Sequence, residues 1–275
     1  RRIGAHFVTT YHGAYNAANP IKNLYNSVMA RGEKVIAISD FIANQIQQRH
    51  CIEKDRIVTI HRGIDVDLFD PQKTSAERII QLANAWRLQD GMPVIMLPGR
   101  LTRWKGQSVL IDALGHLGRD DVRCLLVGSD QGRKGYRQDL DKLVRDRGLQ
   151  HIVHIVDNCR DMPAAYMLAD VVVSASTDPE AFGRVAVEAQ AMGRPVVASD
   201  HGGARETVLP WQTGWLVTPD DPKSLAAAIA DAIALDAGAR TRMAEVARAH
   251  VLKHFTVDQM RAATIDVYQR VLGSA

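Results

Sequence analysis

What most limits the fold of this chain is a run of short, wholly apolar segments separated by stretches of helical periodicity. From Gly91 onward it reads PVIMLPGRL then GQSVLIDALGHLG, and VRCLLVGSD then GYRQDLDKLVRDRGL. HIVHIVD, MPAAYMLA, DVVVSAS, RVAVEAQAMG, PVVASD, ARETVLP and GWLVTPDD continue the alternation. A strand that is apolar on both faces must be covered on both faces, which is the condition of a parallel sheet between two helical layers. Units of ~20–30 residues suit right-handed crossovers. The expectation is a doubly wound, Rossmann-like α/β domain over residues 91–255.

Residues 1–70 repeat the pattern on a smaller scale. AHFVTTYHG, KVIAISD and DRIVTIHRGID read as strands, and IKNLYNSVMARG and FIANQIQQRH as helices. This is part of a second α/β domain. Residues 71–90 read as a connector with one helix. Residues 256–275 read as a last helix, with Thr256 as its N-cap, able to leave its domain and pack elsewhere. The opening RRIGAHFVTTYHG begins within a strand region, so further residues are expected before it.

In an open parallel sheet, ligands gather beyond the carboxyl ends of the strands, so the chemistry is sought there. The first strand after Gly91 is followed by GRLTRWKG, with Arg100, Arg103 and Lys105. The fourth is followed by TDPEAFGR, with Glu180, Gly183 and Arg184, and the fifth by SDHGG. A cationic loop, a carboxylate beside a glycine, and a glycine pair suit a nucleoside diphosphate. Arg100 can grip phosphate oxygens bidentately and Lys105 adds a point charge. The helix opening at Gly183 and Arg184 presents N–H groups and a positive end to an anion. Glu188, about one turn in, can accept hydrogen bonds from a ribose diol. Taken singly, each residue has a plainer reading as a solvated side chain or a helix-end charge. His12 ends a strand of the other half, where it can face a cleft, although a lone histidine is more often structural.

Other chemistries are weakly supported. GxxxxGK[ST], a GxGxxG after the first strand, GxSxG and HExxH are all missing from the sequence, so P-loop, dehydrogenase, serine-hydrolase and zincin readings lack their motifs. Asp65 and Asp67 read as turn residues rather than metal ligands. Cys51, Cys124 and Cys159 show no CxxC spacing and are expected to be buried, reduced thiols. A net charge of +3 with 5% aromatic residues argues against nucleic acid binding. With no apolar run of spanning length and no signal-peptide pattern, a cytoplasmic protein is expected. Peripheral contact with the anionic inner face of a membrane remains open.

The motifs together resemble those of retaining glycosyltransferases of family 4, which have the GT-B fold of two Rossmann-like domains facing a cleft. EAFGRVAVE (180–188) resembles the family's E-x7-E motif. GRLTRWKG resembles its phosphate loop, and GRPVVASDHGGARETV the segment after the second glutamate. VIAISDFIANQI, IHRGIDVDLFDP and DVYQRVL resemble the end of the N-terminal domain and the crossing C-terminal helix. The resemblance implies hexosyl transfer from a UDP-, GDP- or ADP-sugar to a glycan or lipid-linked acceptor, as in polysaccharide or lipopolysaccharide assembly. It implies no cofactor and no required metal. Arg100 and Lys105 would hold the diphosphate, and Glu188 the ribose. Glu180 would contact the donor sugar with the backbone of Ala181, Phe182 and Gly183, and His12 would face that sugar from the acceptor-side domain. Backbone groups at Asn158, Cys159 and Arg160 would meet the base.

Two departures stand out. The family's N-G-[VI]-D is Arg62-Gly63-Ile64-Asp65 here, expected to change only a surface contact. A first strand and glycine-rich loop, roughly ~80–100 residues by domain size, are expected to be missing. A sugar-nucleotide epimerase of the same fold and a non-catalytic nucleotide-sugar-binding subunit remain alternatives.

Overall fold

The computed structural model describes residues 5–14, 22, 24, 26–132 and 134–273. Two parallel sheets carry the fold. The smaller holds β1 (Val8–Tyr11), β2 (Lys34–Ala37) and β3 (Ile57–Thr59) in that order. The larger has six strands: β4 (Val94–Pro98), β5 (Arg123–Val127), β6 (Val153–Val156), β7 (Val171–Ser174), β8 (Val196–Ser199) and β9 (Gly214–Val217). Their spatial order is β6-β5-β4-β7-β8-β9, with every pair parallel. The order reverses between β4 and β7, and at that point the loops after the two strands diverge to leave a crevice.

The strands are apolar on both faces because each face meets a helical layer. Ile95, Leu97, Cys124, Leu126, Val171 and Val173 pack into one core; Val94, Met96, Leu125, Val127 and Val172 pack into another. The first core receives Leu110 and Leu114 of α3 (Gln107–Leu117), Leu140 of α4 (Lys134–Asp146), and Leu225 and Ile229 of α8 (Pro222–Ile233). The second receives Tyr166 of α5 (Met162–Leu168), Val187 of α6 (Arg184–Ala191) and Val251 of α9 (Ala237–His254). It also takes Ile42 and Ile46 of α1 (Asp40–His50), so the two halves share it. The connector carries α2 (Ala76–Ala85), and α7 (Ala204–Thr207) lies between β8 and β9.

The last helix, α10 (Val257–Gly273), is capped reciprocally: Gln259 N–H donates to Thr256 Oγ1 at 3.2 Å, and Thr256 N–H to Gln259 Oε1 at 3.2 Å. It leaves the large sheet, and Val267 packs on Ile36 and Ile60 of the small half. Asp65 Oδ1 accepts from Asp67 and Leu68 N–H, each at 3.0 Å, which closes a turn. The cysteine expectation holds for Cys124 alone. Cys51 is exposed because it ends α1 in the left-handed region (φ 48°), and Cys159 is half-buried.

Candidate functional site

The crevice is a cavity of about 830 Å³. Its lining includes His12, Arg100, Lys105, Glu180, Ala181, Phe182, Gly183, Arg184 and Glu188. Thus the cationic loop after β4, the loop after β7 and the start of α6 share one space with the end of β1. Asn158, Cys159 and Arg160 are not in this lining. They follow β6, which is the outer strand beyond β5, and that position takes them away from the switch point.

The cavity walls depend on close backbone contacts. Gly99 N–H bonds Val127 O at 2.8 Å and Leu101 N–H bonds Ser129 O at 3.1 Å, so the loop after β4 stays tied to β5. The fully buried Gln107 donates to Arg100 O at 2.9 Å and accepts from Tyr136 Oη at 3.3 Å, which anchors the backbone under the Arg100 guanidinium. Gly106 enters α3 at φ +72°, and a Cβ there would lie 1.8 Å from Ala175 O. Gly203 packs so tightly on the β7 loop that a Cβ would lie 2.5 Å from Phe182 Cα. Gly183 is the N-cap of α6 at φ 90°, a conformation that favours glycine. Ala186 N–H bonds Gly183 O at 3.1 Å, while the N–H groups before it lie ahead of the helix's hydrogen-bond ladder, and Gly183, Arg184 and Val185 all border the cavity.

The charges are arranged in pairs. Lys105 Nζ lies 2.5 Å from Glu180 Oε1, which also accepts from Ser176 Oγ at 2.6 Å. Lys105 sits 4.4 Å above the Trp104 ring. Both partners are well shielded, with 13% and 14% of their side chains exposed. Glu188 accepts from Tyr166 Oη and Arg184 Nη2, each at 2.8 Å. Tyr166 is fully buried; burial first, then the Glu188 carboxylate, holds its hydroxyl well above its ordinary pKa, so it stays a donor. Arg100, by contrast, shows no side-chain hydrogen bond or ion pair among the described residues and is exposed. It is free to meet an incoming anion.

Arg62 corrects an expectation. It borders the cavity, and its Nη2 lies 2.8 Å from His12 Nδ1. It is a cleft residue because the strand β3 that precedes it ends at the joint between the halves. Burial, then Arg62, lowers the His12 pKa from its ordinary value, which favours the neutral ring. Trp104, Gln107, Ser176 and Tyr166 were also not foreseen. Only Trp104, inside the GRLTRWKG loop, carried a local signal. Asp40, His61 and Glu206 form the one described group with ligand atoms close enough for a metal, within 4.8 Å. Glu206 is already satisfied by the N–H groups of Asp40 (2.8 Å) and Phe41 (2.7 Å) and by His61 Nε2 (2.8 Å). The trio therefore works as a clasp at the start of α1.

A parallel sheet with a cation-bearing crevice at its switch point, facing a second α/β half, defines an α/β protein of two facing units. Comparison places it within that class. The model for glycosyl transferases group 1 matches residues 79–250, and that for glycosyltransferase family 4 matches residues 1–68; the chain belongs to the group 1 glycosyltransferase family. It is 36% identical over 246 residues to a D-inositol 3-phosphate glycosyltransferase of Xylanimonas cellulosilytica, covering 86% of this chain and 58% of that protein. The chain thus spans under two thirds of that relative's length. A crystal structure of a glycosyltransferase from Rickettsia africae superimposes with a TM-score of 0.91 at 35% identity, covering 98% of this chain and 72% of that one. Anabaena Alr3699/HepE, solved with UDP and glucose, superimposes with a TM-score of 0.85 at 29% identity, covering 96% and 71% of the two chains. The GT-B fold expected from the motifs is the fold observed.

Proposed function

We propose that the chain forms the donor-binding centre of a retaining glycosyltransferase, moving a hexosyl group from a nucleoside diphosphate sugar to a glycan or lipid-linked acceptor. The observation that carries this reading is that Arg100, Lys105, Glu180 and Glu188 border one cavity together with the start of α6. The leaving nucleoside diphosphate gains negative charge as the glycosidic bond breaks. Arg100, Lys105 and the helix N-terminus offset that charge without a required metal. Glu188, deeper in the wall, holds the ribose, and Glu180 meets the sugar hydroxyls. Retention follows from same-face attack: the acceptor oxygen bonds to the anomeric carbon as the phosphate oxygen departs, and that oxygen takes the acceptor's proton. The Anabaena neighbour was solved with UDP-glucose, which makes UDP and UDP-glucose the first ligands to try.

Calorimetry with UDP, GDP and ADP in the presence of EDTA tests the reading, followed by NMR of the product anomer. One diphosphate should bind without added metal, and Arg100→Ala should lower kcat/KM about 100-fold or more. A folded protein that binds none of the three at millimolar concentration overturns the proposal. Conversion of the donor without an acceptor identifies an epimerase instead.

A further inference from the structure

We infer that Arg62 is a positioning residue that holds His12 as a neutral imidazole protonated on Nε2, so that the small half offers the cleft a hydrogen-bond donor and a cation but no base. The inference starts from one contact, Arg62 Nη2 to His12 Nδ1 at 2.8 Å. A guanidinium has only donors and stays charged in proteins. At that separation Nδ1 must supply its lone pair, and the single proton of a neutral ring then sits on Nε2. A doubly protonated ring would bring an N–H against an N–H and a charge against a like charge.

The surroundings hold this arrangement in place. Arg62 precedes Gly63, where a Cβ would lie 2.3 Å from Thr256 O. Ile64 is bonded on both sides to the start of α10: its N–H to Phe255 O at 2.9 Å and its O to Val257 N–H at 3.1 Å. The guanidinium therefore hangs from a fixed piece of backbone. Across the cavity, Lys105 is offset by Glu180 and Arg184 by Glu188, which leaves Arg100 and Asp178 as the remaining charged groups of its lining. Burial and the Arg62 charge both disfavour a charged His12.

The consequence rests on the transfer reading above. His12 cannot take the acceptor's proton through a protonated Nε2, so that proton is left to the departing phosphate oxygen, while His12 donates to a sugar oxygen.

The test is ¹⁵N NMR of the histidine-labelled protein, with the His12 signal identified by its loss in His12→Asn. The expected result is the Nε2–H tautomer at pH 7.5 and titration below 6.5, the ordinary value. In Arg62→Met, which keeps length but has no donor and no charge, the His12 pKa should rise toward 6.5 and the tautomers should mix. If the acceptor's proton does go to phosphate, the acidic limb of kcat/KM should stay in place while the His12 pKa moves. An Nδ1–H tautomer in the unsubstituted protein, or an unchanged His12 in folded Arg62→Met, overturns the inference. If Arg62→Met does not fold, the tautomer in the unsubstituted protein decides alone. A UDP titration of the same samples keeps the two readings apart, since failure to bind nucleotide counts against the transferase and leaves the His12 result standing.

Discussion

At the residue scale, the site is held ready by contacts that a ligand must replace. Both oxygens of Glu188 are engaged, one by the buried Tyr166 hydroxyl. Glu188→Ala should weaken nucleotide binding by ~1.5–3 kcal/mol through lost charged hydrogen bonds. It should also lower stability by about 1–3 kcal/mol, because the Tyr166 hydroxyl loses its acceptor. Glu188→Gln keeps an acceptor for Tyr166 and separates the two effects; calorimetry showing unchanged affinity in both would remove Glu188 from the nucleotide site. The Lys105–Glu180 pair leads to a less obvious expectation. A diphosphate must draw Lys105 from its carboxylate partner, so Glu180→Gln should tighten nucleoside diphosphate binding several-fold, on the order of 1 kcal/mol, while turnover falls. Tenfold weaker diphosphate binding in this variant would show that Glu180 does not compete for Lys105.

At the scale of elements, the β7 loop and the segment after β8 are fitted backbone to backbone. Gly203 has an ordinary φ of −67°, so a side chain there is excluded by space and not by strain: its Cβ would meet Phe182 Cα at 2.5 Å. Gly203→Ala should push the loop from the start of α6 and weaken diphosphate binding more than tenfold, on the order of 1.4 kcal/mol or above. Gly115 lies inside α3 with nothing within 4 Å of its would-be Cβ. Gly115→Ala should leave binding unchanged and raise stability by up to about 1 kcal/mol. Equal affinities in the two variants would mean that the loop does not depend on this packing.

Across the whole molecule, the halves are clasped by polar contacts placed where the cleft closes. Ser39 Oγ donates to Ala181 O at 2.6 Å, Glu206 caps α1 and holds His61, and Arg248 Nη1 donates to Ala191 O at 2.7 Å and Phe69 O at 3.2 Å. Burial raises the Glu206 pKa, but the bonds from His61, Phe41 and Asp40 outweigh it and leave the carboxyl below its ordinary value. Its contribution is present above pH 4.5 and lost as pH falls through the lower folded value. His12, His50, His154 and His250 are each lowered from 6.5 chiefly by burial. The folded state resists their protonation, so stability is full above pH 6.5 and declines as pH falls toward their folded values. Both effects have the same sign. The melting temperature should be highest near pH 7.5 and should fall progressively below 6.5; a Tm that is flat between pH 7.5 and 5 would contradict it.

What the sequence determined by itself was the layered architecture and the identity of the strand ends. Runs such as VIMLP and VVVS leave no face for water, and that forces a covered parallel sheet with its ligand loops on one edge. Arg100, Lys105, Glu180 and Glu188 were legible because they stand directly after such runs or one turn into the next helix. Tertiary structure alone decided who partners whom. Nothing local couples Lys105 to Glu180, Tyr166 to Glu188 or Arg62 to His12, since these pairs are brought together by strand order across the switch point and by the meeting of two halves. A charge in a sequence shows its type and its element, but whether it is free to bind or already satisfied depends on neighbours that only the folded chain supplies.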